Sequence, residues 1–160
     1  MSGEKNKNQY NRMVDEYRDI LSQKYKNSNK YIIEIKGAQA ALKRMELERV
    51  GASINDLRKI LIDARKDAVC YLLMELGEFL GDQQMVKSSK AARSFLSWGI
   101  KHVVTKLRDL GLEITQQEIS EMTIDSCLTR IEKLKKEKDE LEFKYGVTYG
   151  TEQQQPVRII

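Results

Sequence analysis

Ala68-Val69-Cys70-Tyr71-Leu72-Leu73-Met74 is the longest apolar run in the 160-residue chain. It lies inside a helical period of Leu57, Leu61, Ala64, Ala68, Leu72, Leu76 and Phe79. At seven residues the run is far too short to cross a bilayer, which takes about 20. Apolar on every face over this stretch, the helix reads as a buried one around which the rest packs. Its start is marked by Val50-Gly51-Ala52-Ser53. Gly51 suits the left-handed position that closes the preceding helix. Ser53 can accept from the free amides of the new helix, and Asp56 supports that end through the dipole. Gly81-Asp82 is the expected stop.

Toward the N-terminus, Tyr10, Met13, Val14, Tyr17, Ile20 and Leu21 repeat with helical period behind a polar tail over residues 1–9. Asn27-Ser28-Asn29 breaks the pattern. Tyr31-Ile32-Ile33-Glu34-Ile35 is β-branched enough for a strand, but no second strand is available to pair with it. It therefore reads as helix running into Ala38, Ala41, Leu42 and Met45.

Toward the C-terminus, Ala92, Phe95, Leu96, Gly99, Ile100, Val103, Val104, Leu107 and Leu110 mark the apolar side of a helix over about residues 84–110, stopped by Gly111. Thr115-Gln116-Gln117-Glu118 has the form of a capping box. It opens a last helix over residues 116–145, in which Ile124, Cys127, Ile131, Leu134, Lys138, Leu141 and Tyr145 alternate steps of three and four. That is the seam of a coiled coil with one polar member, short enough to pack on its own domain instead. Residues 147–160 form an extended tail with the sole proline, Pro156. The expected fold is all-α: a single helical domain over residues 10–146, a bundle of four to five helices with a long C-terminal coiled-coil-like helix.

Chemistry is sparse. His102 is the only histidine, which excludes histidine-pair catalysis and histidine-rich metal sets. There is no Cys-x-x-Cys, no phosphate-binding glycine loop and no dinucleotide fingerprint. The carboxylates alternate with lysines as on a solvated helix face. Cys70 and Cys127 lie on apolar stretches without motif spacing and read as core thiols of a reducing compartment. The start is polar, with no leader expected. No cofactor, metal, catalytic site or membrane association is expected, and the compartment would be the cytoplasm, or the virion for a viral protein.

The sharpest charge feature is an acid-free window between Asp82 and Asp109 within a chain of formal charge +4. On a helix Lys87, Lys90, Ser94, Ser97, Lys101, Thr105 and Arg108 share one stripe. Cations interleaved with hydroxyls suit phosphates, with Lys87, Lys90, Arg93, Lys101 and Arg108 as the contacts. The competing reading is a solvated face balanced by the net-negative segments 53–82 and 113–146.

Leu107 to Leu112, Thr115 to Glu121 and Thr129 to Glu132 together resemble the lambda-repressor-type helix-turn-helix. That resemblance covers about a sixth of the chain. It implies that Gln116, Gln117, Ser126, Thr129 and Arg130 face DNA. Two features depart from it. The turn lacks its usual glycine, since Thr123 runs into Ile124, and the apolar period continues without a break.

The leading expectation is a non-enzymatic assembly protein that oligomerises or docks into a larger complex through Ile124, Ile131, Leu134, Leu141 and Tyr145. The tail would add a docking peptide at Val157, Ile159 and Ile160. The composition would suit a viral or phage structural or accessory protein. The alternative is a nucleic-acid-binding helical protein (a regulator, packaging factor or ribonucleoprotein subunit) that uses the basic helix.

Overall fold

The computed structural model describes residues 2–86 and 89–136, with side chains from residue 7 onward. Within them the chain forms six helices and no strand. They are α1 (Ser2–Lys26), α2 (Lys30–Arg49), α3 (Ile54–Met85), α4 (Lys90–Asp109), α5 (Gln116–Glu121) and α6 (Ile124–Lys136). The all-α expectation holds for these residues. No helix among them is long and apolar enough to cross a membrane.

The described residues group into two compact units, residues 2–68 and 69–136, and α3 contributes to both. In the first unit Tyr17, Leu21 and Tyr25 of α1 are buried with Ala40 and Leu47 of α2 and with Leu57, Ile60, Leu61, Ala64 and Ala68 of α3. The Ser22 hydroxyl donates to Asp67, and Lys43 spans α2 to α1 through Glu16 at 2.7 Å. The buried Arg65 guanidinium lies over the Tyr25 ring at 5.2 Å.

The second unit closes around Val69, Leu72, Leu73, Leu76 and Leu80 of α3. Against these the buried set comprises Leu96, Ile100, Val103 and Leu107 of α4, with Leu110, Leu112, Ile114, Cys127 and Ile131. Gly77 admits Cys127 here, since a Cβ at position 77 would stand 3.3 Å from the Cys127 Cβ.

Capping chemistry explains the boundaries. Gly51 and Gly111 adopt φ of 100° and 102°, and each closes its helix by the same two bonds. The amides of Ala52 and Leu112 donate to Leu47 and Leu107, and those of Gly51 and Gly111 to Glu48 and Arg108. Asn29 caps α2 by accepting from the Tyr31 and Ile32 amides. Thr115 and Glu118 form the expected capping box.

Several boundaries differ from the sequence reading. Helix α1 begins at Ser2, so the segment read as a polar tail is helical from its second residue. Gly81-Asp82 does not stop α3, which continues to Met85, and α4 starts only at Lys90 behind its Ser89 cap. Tyr71 and Met74 are about half exposed, so the central run is not buried on every side. The expected helix over 116–145 is broken: Met122 is extended, and a new helix starts at Ile124. The physical reason is a second, reciprocal cap. The Thr123 amide donates to the Ser126 hydroxyl at 2.8 Å, and the Ser126 amide donates to the Thr123 hydroxyl at 3.2 Å.

Candidate interaction surfaces

Helix α2 is apolar on two sides. Its inner side carries Ala40 and Leu47, both buried, with Ile33 half-buried. Its outer side carries Tyr31, Ile35, Ala38, Leu42 and Met45, at steps of four, three, four and three. That spacing is a heptad seam. All five are exposed, Tyr31 at 75%, Ile35 at 56%, Leu42 at 62% and Met45 at 56%, so the seam has no cover in this structure. Single exposed apolar residues are ordinary, but a contiguous row marks an interaction site. Beside the row stand Glu34, Gln39, Glu46 and Glu48, with Glu46 paired to Lys43 at 3.1 Å and Glu48 to Arg44 at 2.9 Å. The sequence places Leu42 and Met45 on this helix without saying which side is buried. The signal that separates the two seams is that Ile33, Ala40 and Leu47 repeat at seven, offset by two residues from Tyr31, Ala38 and Met45 of the outer row.

Helix α4 presents a different chemistry. Leu96, Gly99, Ile100, Val103 and Leu107 face inward. Lys90, Arg93, Lys101 and Arg108 are exposed, as expected for phosphate contacts, and Ser94, Ser97 and Thr105 are exposed among them. Lys87 lies outside the described residues. Phe95, which the sequence places on the apolar side of the helix, is 64% exposed, and Trp98 is 63% exposed. The Trp98 indole stacks on the His102 ring, with centroids 5.2 Å apart and planes at 13°. Phe95 stands 6.3 Å from Trp98. An aromatic row thus runs beside the cationic row on one outward face of α4. Phe79 shields the inner side of α4 at Gly99, where an added Cβ would meet its ring at 3.0 Å.

Beyond the cationic row lies a groove of about 720 Å³ between α4, the end of α3 and α5. Amides of Gln83, Gln84 and Gln116 and hydroxyls of Ser97, Thr105 and Ser120 line it, with Lys101. On the other flank, Glu75 of α3 lies within electrostatic reach of His102, and burial with the neighbouring Glu78 charge raises its carboxyl above the usual range. Glu75 therefore borders the aromatic side, and no carboxylate lines the groove.

The α6 seam is turned inward at Cys127 and Ile131, both buried, and burial pushes the Cys127 thiol up. Ile124 is 44% exposed and Leu134 half-buried. Leu141, Tyr145, Val157, Ile159 and Ile160 lie outside the described residues. Among the positions implied by the helix-turn-helix resemblance, Gln116 lines the groove and Gln117 is exposed. Ser126 is engaged in the cap, the Thr129 hydroxyl donates to the Asp125 carbonyl, and Arg130 reaches Glu118 at 3.6 Å. The break at Thr123 supplies the separate helices that the sequence lacked, though without the glycine.

Neither cysteine forms a disulfide, and among the described residues no cluster of His, Cys, Asp or Glu could hold a metal ion. Comparison of the chain with protein-family models, with curated proteins and with solved structures finds no match.

Proposed function

We propose that this chain is a non-enzymatic assembly protein that pairs with a second copy of itself through the outer face of α2. One observation carries the reading: Tyr31, Ile35, Ala38, Leu42 and Met45 repeat as a heptad seam and are exposed together. A seam of this kind is buried by an equivalent seam. Parallel pairing suits its flanks. It sets Glu34 across from Gln39 of the second copy and Ala41 across from its Glu46, with no like charges opposed. Antiparallel pairing would bring Glu34 beside Glu48 of the second copy. The 20-residue helix is about 30 Å long, so the interface falls at the small end of stable ones. The dimer should accordingly dissociate on dilution. Continuation of the α6 seam through Leu141 and Tyr145, and docking by the tail at Val157, Ile159 and Ile160, belong to the same assembly reading as secondary contacts.

The test is mass in solution by light scattering over a concentration series. The wild-type chain should approach twice its 18.6 kDa as concentration rises. Ile35→Asp and Leu42→Asp alter exposed side chains, so they should give monomers with unchanged helical circular dichroism. A dimer that survives both substitutions overturns the reading. If Leu134→Asp dissociates the dimer and the α2 variants do not, the interface belongs to the C-terminal seam instead.

A further inference from the structure

We infer that the outward face of α4 binds single-stranded nucleic acid, with Trp98 and Phe95 stacking on bases and Lys90, Arg93, Lys101 and Arg108 neutralising the backbone. This surface lies in the second unit and does not depend on the α2 reading. Three observations converge on it. First, both large aromatics are nearly two-thirds exposed, although each carries a large apolar area that burial would favour. A stacking face offered to solvent suits unpaired bases, whose own faces are free, and not a duplex, whose bases are already stacked. Second, Lys90, Lys101 and Arg108 form one stripe beside the aromatics, with Arg93 on the far, groove-ward flank of that stripe. A strand lying along α4 therefore meets charge on one edge and rings on the other. Third, no carboxylate lines the groove beyond the cations; beside its apolar floor of Leu80, Ile100, Val104, Ile119 and Met122 it offers the amides of Gln83, Gln84 and Gln116 and the Ser97 hydroxyl for contacts to phosphate, sugar and base edges. Charge complementarity also sets the direction. Glu75 and Glu78 border the His102 side, which repels a phosphate chain and leaves the Lys101 side as its path.

Trp98 is the only tryptophan in the chain, so intrinsic fluorescence reads the proposed surface directly. The experiment titrates the full chain with a fluorescein-labelled oligothymidylate of 20 nucleotides, following both anisotropy and tryptophan emission. Binding should quench Trp98. If all four cations meet phosphates, affinity should fall roughly fiftyfold between 50 and 200 mM salt. Trp98→Ala should weaken binding about tenfold or more. Lys101→Glu with Arg108→Glu should abolish it, and both variants should keep wild-type circular dichroism because the altered residues are exposed. Leu42→Asp should leave the quench unchanged. Absence of binding at low salt overturns the inference. So does binding that Trp98→Ala leaves intact, or equal affinity for a duplex or for polyglutamate, since each would show plain charge attraction without stacking.

Discussion

Gly99 sits where a methyl group would stand 3.0 Å from the Phe79 ring. Glycine inside a helix costs about 1 kcal/mol relative to alanine, so the substitution would ordinarily stabilise. Here the crowding should outweigh that gain. Gly99→Ala is expected to lower stability by about 1–2 kcal/mol in urea unfolding. In a Phe79→Leu background the same change should stabilise, because the ring is gone. Lys24 offers a second residue-level test. It is partly buried beside the Gly37 backbone, and burial, with the nearby Arg65 charge, lowers its ammonium below the usual 10.5. The folded chain thus favours the neutral amine. The penalty is fully present at neutral pH and is relieved as pH rises through the lowered value toward 10.5. Lys24→Met should therefore raise the melting temperature by a few degrees at pH 7, with the gain shrinking as pH approaches 10.5. A gain that stayed constant across that range would place the effect in packing and not in charge.

Among the elements, the short helices rest on side-chain caps. Thr123→Ala removes the hydroxyl that accepts from Ser126 and should cost about 1 kcal/mol. The exchange of α6 amides with solvent would report it first. Two caps also carry a pH dependence. Hydrogen bonds from Ser53 hold the Asp56 carboxyl below its ordinary 3.8, and those from Thr115 hold Glu118 below 4.5. Both groups are favoured ionised in the folded chain. Their support of α3 and α5 is complete above those ordinary values and is lost as pH falls through the lowered ones. Asp56→Asn and Glu118→Gln should flatten the acid limb of the stability profile below the ordinary carboxylate range. The Ser53, Thr115, Gly51 and Gly111 boundaries were legible in the sequence because each has a local chemical signature. The Thr123 break was not. A threonine within an unbroken apolar period reads as a helix surface residue, and its partner Ser126 is not the glutamate that identifies a capping box. The candidate surfaces were half legible. Cations announce themselves on a helical wheel. The exposure of Phe95 and of the outer α2 row depends on which neighbours arrive, and that is tertiary information.

The whole chain combines an apolar row on α2 with a basic, aromatic face on α4. These should respond to conditions in opposite ways. Raising salt releases a polyanion and leaves burial of an apolar seam intact or strengthened. At 500 mM salt the chain is therefore expected to keep its dimer mass while losing oligothymidylate binding, as measured on one sample by light scattering and anisotropy. Loss of both together would tie self-association to charge and remove the α2 seam from the account.

The two apolar sides of α2 also bear on how the chain finds its fold. A helix with one greasy stripe has one way to lie on its neighbour, and α2 has two. Rotating it about its axis would offer Leu42 and Met45 to α1 in place of Ala40 and Leu47. Discrimination falls to small polar devices: the Lys43 bridge to Glu16, and the bare backbone of Gly37 against the Lys24 stem. Such contacts add little stability. Their work is to make the wrong face unwelcome, a burden that decides uniqueness and not strength.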